Sequence, residues 1–117
     1  MADSTPPSKA QLNPTDIFSA LSNDIRWQAM KLMADGTKIR ATDLAAAVKR
    51  DFDNCSKHLT ILRESGAVDW VYGEDRRMLF YFIPEKFRTE PGVVDYGFCQ
   101  LRFASAVKEK INPLAKD

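Results

Sequence analysis

The chain has 117 residues, of which 44% are hydrophobic and 28% charged, and its formal net charge is +1. This length supports one domain with a modest core, and the composition is typical of a globular rather than a disordered protein. No apolar run could cross a membrane, the N-terminus lacks the apolar core of a secretory signal, and two cysteines make no disulfide framework. We therefore expect a cytoplasmic protein without a membrane partner. If it binds nucleic acid, its positive charges must be concentrated on one face.

The first part of the chain is predicted to be a tail followed by two helices. Residues 1–12 have little to bury and are expected to be flexible. Asn13-Pro14 is typical of a helix start, with Asn13 as the cap and Pro14 at the first helical position. A second helix, "DIRWQAMKLMADG", is predicted to be capped by Asn23 and to stop at Gly36.

Two further helices are predicted after a brief extended link, "TKIRA". Thr42 is the expected cap of the first, "DLAAAV", whose alanines allow another helix to pack closely. After the turn "KRD", either Asp51 or Asp53 caps the second, which covers residues 53–65 and ends at Gly66.

A hairpin and an ambiguous segment complete the chain. The strands "AVDWVY" and "RMLFYFI" flank the turn "GEDR", Pro84 stops the second strand, and "EKFRTEPG" is interpreted as a linker. Residues 93–97 remain open between strand and helix. Apolar residues then recur at helical spacing, which favours a helix from about Phe98 to Ile111.

The order of these elements predicts a fold. It reads α-α-(β)-α-α-β-β-α, mainly α with a small β-hairpin, and a tight helix pair followed by a hairpin is a winged helix-turn-helix. We expect one such domain over residues 13–111. The second helix of the pair would enter the DNA major groove, while the hairpin at residues 73–77, the wing, would reach the backbone or the minor groove.

The candidate DNA-binding residues follow from the two faces of helix 53–65. Its apolar stripe of Cys55, Leu59 and Leu62 has helical spacing and should face the core, so the opposite face is left to double-stranded DNA. Asparagine suits adenine edges, and lysine suits guanine or phosphate. The predicted base contacts are Asn54, Lys57 and Thr60; the predicted phosphate contacts are Ser56 and His58 on the helix and Arg76 and Arg77 in the wing.

Over roughly residues 16–83 the sequence resembles the ArsR/SmtB-type winged-helix transcriptional regulators. "ALSNDIRWQAMKLM" is similar to that family's second helix, "CSKHLTILRESGAV" to its recognition helix with the pattern Ser-x-His-Leu at Ser56–Leu59, and "GEDRRMLFYFI" to its wing. The resemblance implies a homodimer that binds an inverted repeat and represses transcription. It also implies a dimer interface built from terminal segments, here residues 14–22 and the C-terminal segment 93–111, of which 98–111 would be the helix.

The chain departs from this family in ways that favour a second hypothesis. Lys49-Arg50 replaces the usual Gly-Leu of the turn, and Phe52 is a candidate for the missing apolar anchor. Two carboxylates, Asp51 and Asp53, stand where they would oppose phosphates. The alternative is therefore a winged-helix protein-interaction module with little affinity for DNA.

Metal, redox and enzymatic functions are less well supported. Cys55 and His58 lie three residues apart on one helix, but a zinc site needs three or four ligands, and the thiol pair of the family's metal sensors is absent from "IRATDL". Cys55 and Cys99 could form a redox pair, although packing is the simpler role for both. No nucleophile motif or second histidine supports catalysis, so we expect neither an enzyme nor a cofactor. An effector cannot be named from the sequence.

Overall fold

A computed structural model describes residues 12–103. Four helices come first and are followed by two small sheets. The helices are α1 (Pro14–Leu21), α2 (Asp24–Met33), α3 (Ala41–Val48) and α4 (Phe52–Ser65). The strands are β1 (Asp69–Tyr72), β2 (Leu79–Phe82), β3 (Arg88–Glu90), β4 (Val93–Asp95) and β5 (Gln100–Arg102), with a 3₁₀ turn at Glu85–Phe87 between β2 and β3. None of the helices in this part of the chain is long and apolar enough to span a membrane.

Side-chain caps define where α1 and α2 begin. The side-chain oxygen of Asn13 accepts from the backbone N–H of Thr15, at 3.0 Å, and from that of Asp16. Asn23 does the same for the first turn of α2. These oxygens satisfy backbone donors that have no partner inside the helix. Both predicted caps are confirmed.

The start of α3 differs from the prediction. The helix begins at Ala41, with Arg40 rather than Thr42 as its cap residue, and the carboxylate of Asp43 accepts from the Arg40 backbone N–H at 2.8 Å. The preceding residue, Ile39, pairs with Tyr81 through two backbone hydrogen bonds. This pairing holds the chain extended up to Arg40. The helix begins directly after Arg40, which is earlier than the local sequence indicates.

The hairpin is antiparallel, as predicted, with Asp69 opposite Phe82 and Tyr72 opposite Leu79. The bridge to Ile39 adds the short extended piece expected between the second and third helices. Helices α3 and α4 form the helix-turn-helix, and the β1–β2 hairpin is the wing. The predicted winged helix-turn-helix fold is confirmed.

The segment after the wing contains corrections. Strands β3, β4 and β5 form a three-stranded antiparallel sheet where the sequence indicated a linker and then a helix from Phe98. The helix is wrong for residues 98–103, because Leu101 pairs with Val94 in the β4–β5 ladder. Residues 93–97, left open, begin with strand β4. The remainder of the predicted helix, 104–111, lies outside the described residues.

This second sheet packs on the helices rather than standing apart. Phe103 contacts Trp27 of α2, with ring centroids 4.5 Å apart, and the Tyr96 hydroxyl donates to the Ala67 carbonyl at 2.7 Å. One core therefore joins all the elements. Its fully buried side chains include Ile17, Met30, Leu44, Leu59, Ile83, Phe87, Val94 and Tyr96. Leu12, the last residue of the predicted tail, is also buried, while the rest of that tail lies outside the described residues.

Candidate nucleic-acid interface

Helix α4 presents two distinct faces. Its N-terminal cap is Asp51, whose carboxylate accepts from the Asn54 backbone N–H at 2.9 Å, and its C-terminal cap, Gly66, adopts the left-handed conformation with φ 92°. The predicted stripe of Cys55, Leu59 and Leu62 is fully buried. Burying this stripe fixes the rotation of the helix about its axis, and its opposite side is turned to solvent.

The exposed face carries two of the predicted base contacts. Asn54 and Lys57 are both exposed, with the carboxylates of Asp53 and Glu64 on the same side of the helix. Asn54 and Lys57 lie in the first half of α4, the part of a recognition helix that reaches base edges. Their amide and ammonium groups are the kinds of donor that read purine edges.

The other helix candidates face inward or sideways. Ser56 and Thr60 are half-buried on the side of α4 that faces the wing, and the Thr60 hydroxyl donates to the Ser56 carbonyl at 3.0 Å. The Thr60 side chain also lies against the hydroxyl of the buried Tyr81 on β2. Thr60 is therefore engaged within the protein, whereas Ser56 lines a cavity described below.

His58 is held by an arginine of α2. An Nη of Arg26 lies 2.9 Å from His58 Nδ1, and the Arg26 Nε donates to the Ala20 carbonyl at 2.6 Å. Because arginine only donates, Nδ1 must accept, so the neutral ring carries its proton on Nε2. Burial and the charge of Arg26 lower the pKa of His58. The contact links α4 to α2 through Nδ1 and leaves Nε2–H as a donor, so the phosphate contact of His58 stays a prediction.

Side chains in the C-terminal half of α4 contact the first strand of the wing. The Arg63 guanidinium lies over the Trp70 ring, 4.7 Å from its centroid, and its Nε is 3.9 Å from the buried carboxylate of Asp69. Asp69 also accepts from the Trp70 backbone N–H at 2.8 Å. These contacts join the second half of α4 to the first wing strand.

The two wing arginines have different partners. The Arg76 guanidinium lies over the Tyr72 ring, at 5.3 Å from the centroid. The Arg77 fork faces Asp75, with Nε and Nη at 3.1 and 3.0 Å from the two carboxylate oxygens, and these hydrogen bonds lower the pKa of Asp75. The Arg77 side chain is nonetheless 89% exposed. Both cations are at the wing surface, and one of them is already paired with a carboxylate.

A cavity opens between the helix-turn-helix and the base of the wing. Its volume is about 180 Å³, and its lining comes from the start of α3, the start of α4 and strand β2 with the residues before it. The lining residues are Arg40, Ala41, Thr42, Phe52, Ser56, Arg77, Met78, Leu79 and Tyr81. Phe52 is 52% exposed, so its assignment as the apolar anchor of the core is wrong.

The cysteines and possible metal ligands do not form a reactive site here. Burial, followed by the charge of Asp51, raises the pKa of Cys55, and burial followed by Asp95 raises that of Cys99. Both are free thiols, Cys55 being fully buried, and a thiol that stays protonated is a poor nucleophile. Within residues 12–103, no group of three or more His, Cys, Asp or Glu side chains could hold a metal ion.

Sequence reasoning missed several residues that shape this surface. Phe52 was considered only as an apolar anchor, and the contact of Arg26 with His58 depends on tertiary structure that spacing does not encode. The pairing of Asp75 with Arg77 could have been inferred from the local sequence. An aspartate at the start of a tight turn commonly accepts from the backbone two residues on, as Asp75 does from Arg77 N at 3.0 Å.

Comparisons with known proteins support the fold. No model of a known protein family matches the sequence, and no curated protein matches it. Among solved structures, HlyU from Vibrio cholerae is similar, with a TM-score of 0.54, 19% identity and 88% of each chain covered. The transcriptional regulator HlyU from Vibrio vulnificus has a TM-score of 0.52 and 22% identity, covering 62% of this chain and 74% of its own.

A third similar structure is a homodimeric winged helix-turn-helix DNA-binding domain, Mb0332 from Mycobacterium bovis, described as a possible ArsR-family transcriptional regulator. Its TM-score is 0.56 at 24% identity, and the match covers 74% of this chain and 78% of that fragment. Identities this low establish the fold alone. The resemblance to the ArsR/SmtB-type regulators is thereby confirmed at the level of architecture: the chain has the fold of winged helix-turn-helix DNA-binding domains.

Proposed function

We propose that the protein is a sequence-specific DNA-binding transcriptional regulator that acts as a homodimeric repressor on an inverted repeat. The observation that carries this proposal is the open polar face of α4 beside the wing. Asn54 and Lys57 are exposed there, while the opposite stripe is fully buried. A ridge of this kind fits the major groove, and the exposed arginines of the adjoining hairpin suit phosphates.

Roles follow from the position of each side chain. Lys57 and Asn54 would read base edges, and Asp53 suits the amino group of cytosine. Ser56, Arg76 and Arg77 would contact the backbone and set the register. His58 would donate to a phosphate through Nε2–H while Nδ1 accepts from Arg26, and Thr60, whose hydroxyl donates to the Ser56 carbonyl, would lie at the margin of the base-reading face.

A dimer would place two such helices on the two half-sites of a palindrome. An exposed aromatic pair supports this assembly: Phe18 of α1 and Phe98 lie edge to face with ring centroids 5.6 Å apart, and both remain open to solvent. We place the interface on this pair, within the predicted terminal segments 14–22 and 93–111. Exposed aromatic rings are enriched in protein interfaces.

The proposal is tested by selecting bound sequences from a random duplex pool and then measuring affinity by fluorescence anisotropy. We expect a palindromic consensus. Lys57→Ala should weaken specific binding by about 1–3 kcal/mol, as loss of a base contact does. Lys31→Ala is the matched control, since Lys31 is also an exposed lysine but lies on α2. Placing the selected site over a reporter promoter then tests repression, because a repressor lowers and an activator raises expression.

A second candidate function is a protein-interaction module. The carboxylates of Asp53 and Glu64 on the same face as Lys57 favour it, since they oppose phosphates. Absence of any enriched sequence, together with no binding to random duplex at low salt, would replace the first candidate by this one.

A further inference from the structure

Phe52 is the first residue of the recognition helix and is left half uncovered. An exposed phenylalanine forfeits much of the stabilisation that burial of its ring would give. Its neighbours along the chain, Asp51 and Asp53, are polar and exposed, and Asp51 serves as the helix cap. Neither helix capping nor solubility explains why position 52 carries a phenylalanine.

The surroundings of Phe52 form an apolar notch with a polar rim. Phe52 lines the cavity of about 180 Å³ together with the apolar side chains of Ala41, Met78 and Leu79. Arg40 and Arg77 also line it. The notch is continuous with the proposed DNA-binding surface, because Ser56 of α4 and Arg77 of the wing belong to both. Both arginines also face a carboxylate, Asp43 and Asp75 respectively, and a polyanion passing over the notch would compete for them.

One chemical group in the major groove matches such a notch. The 5-methyl group of thymine is the apolar group on the major-groove edge of the bases, and phenylalanine is one of the side chains that contact it. The N-terminal residues of a recognition helix are those that meet base edges. We propose that Phe52 is a specificity-determining residue that selects thymine by packing against its 5-methyl group at the mouth of this cavity. This inference rests on the proposed DNA-binding function and names the base that one residue recognises.

The test removes the methyl group from DNA and the ring from the protein. In the selected duplex, each thymine is replaced in turn by uracil, which keeps base pairing and hydrogen-bonding groups and lacks only the methyl. We expect one position per half-site at which uracil weakens the wild-type protein about fourfold, the factor that burial of one methyl-sized apolar group gives. Phe52→Ala should bind thymine and uracil duplexes equally at that position.

Two further variants control the experiment. Phe52→Leu keeps an apolar side chain and should retain part of the preference for thymine. Leu32→Ala removes an exposed apolar side chain from α2 and should leave the preference unchanged. Thermal unfolding and sedimentation of each variant then separate a local effect from a change in stability or assembly.

The outcomes are distinguishable from failure of the proposed function. If no duplex is enriched, the proposed function itself fails. If specific binding is found but no thymine is sensitive to loss of its methyl, or Phe52→Ala keeps the same sensitivity, the role of Phe52 is overturned. A change in dimerisation by Phe52→Ala would assign the ring to a contact with a second copy and would also overturn it.

Discussion

Replacing Asp75 by asparagine should strengthen DNA binding, because Asp75 occupies the guanidinium fork of Arg77 in the free protein. The two charged hydrogen bonds, at 3.0 and 3.1 Å, have the bidentate geometry that a phosphate would otherwise take up. In the proposed complex Asp75 would therefore compete with DNA for Arg77. Asparagine removes the charge but keeps an oxygen that can accept from the Arg77 backbone N–H, so the turn is preserved.

The size of the effect follows from the exposure of the pair. With 89% of the Arg77 side chain and 43% of the Asp75 side chain exposed, the ion pair is a surface pair, which solvent screening and side-chain entropy keep weak. Asp75→Asn should thus raise affinity up to about fivefold per wing, or about 30-fold for two wings of a dimer. Each phosphate newly engaged should steepen the slope of log affinity against log salt by about 0.9.

The assay is an anisotropy titration of Asp75→Asn against random duplex at several salt concentrations. Glu74→Gln is the matched control, since it removes one negative charge from the same turn while the fork of Arg77 stays paired with Asp75. An equal gain for both variants would show a general charge effect and refute the competition. So would a gain that survives when Arg77→Ala is added to Asp75→Asn.

Three further predictions concern stability, each measured by chemical denaturation. Lys49 ends α3 in the left-handed conformation with φ 60°, so Lys49→Gly should stabilise the fold by about 1 kcal/mol, and an unchanged midpoint would contradict this. Because the pKa of His58 is lowered on folding, the unfolded chain binds a proton more readily, and stability should fall as pH drops below about 6.5, by at most about 1.4 kcal/mol per pH unit. His58→Gln should lack this component, and identical pH profiles would refute a pKa of His58 lowered by its burial and by Arg26. Leu59→Ala should cost about 2–5 kcal/mol, whereas Ile61→Ala on the exposed face should change stability by about 0.5 kcal/mol or less.

The parts of the fold that sequence reasoning predicted correctly are set by local chemistry. Asn13 and Asn23 cap their helices through backbone groups two or three residues away. Gly66 ends α4 because a left-handed residue is needed there, and glycine adopts it without steric cost. The two faces of α4 were readable for the same reason, since Lys57 and Leu59 differ in burial as their helical positions predict.

The C-terminal segment was misread because two periodicities overlap in it. Phe98 and Leu101 fit a helical stripe, yet Leu101 also fits a strand whose partner, Val94, lies across a turn with Gly97 at φ 100°. Spacing alone cannot choose between them. The pairing of β5 with β4 and the packing of Phe103 on Trp27 favour the strand, and both are contacts that local sequence does not reveal.

Sequence reasoning predicted which face of α4 is exposed, but not the tertiary contacts that its side chains make. Exposure of Lys57 and Asn54 follows from helical geometry alone. The contact of His58 with Arg26 joins residues 32 positions apart, and the exposure of Phe52 depends on how α3 and β2 approach α4. Roles that depend on such long-range contacts cannot be inferred from the spacing of residues in the sequence.

In α4 the side chains that support the domain and those turned to solvent occupy opposite sides of one helix. The buried stripe of Cys55, Leu59 and Leu62 could therefore stay unchanged while the exposed residues are substituted. These exposed residues are Asp53, Asn54 and Lys57. Such replacements would leave the interior undisturbed, so a library randomised at these outward positions should yield folded proteins with new target preferences. The same separation would let descendants of one ancestral gene acquire different binding sites by a few surface changes.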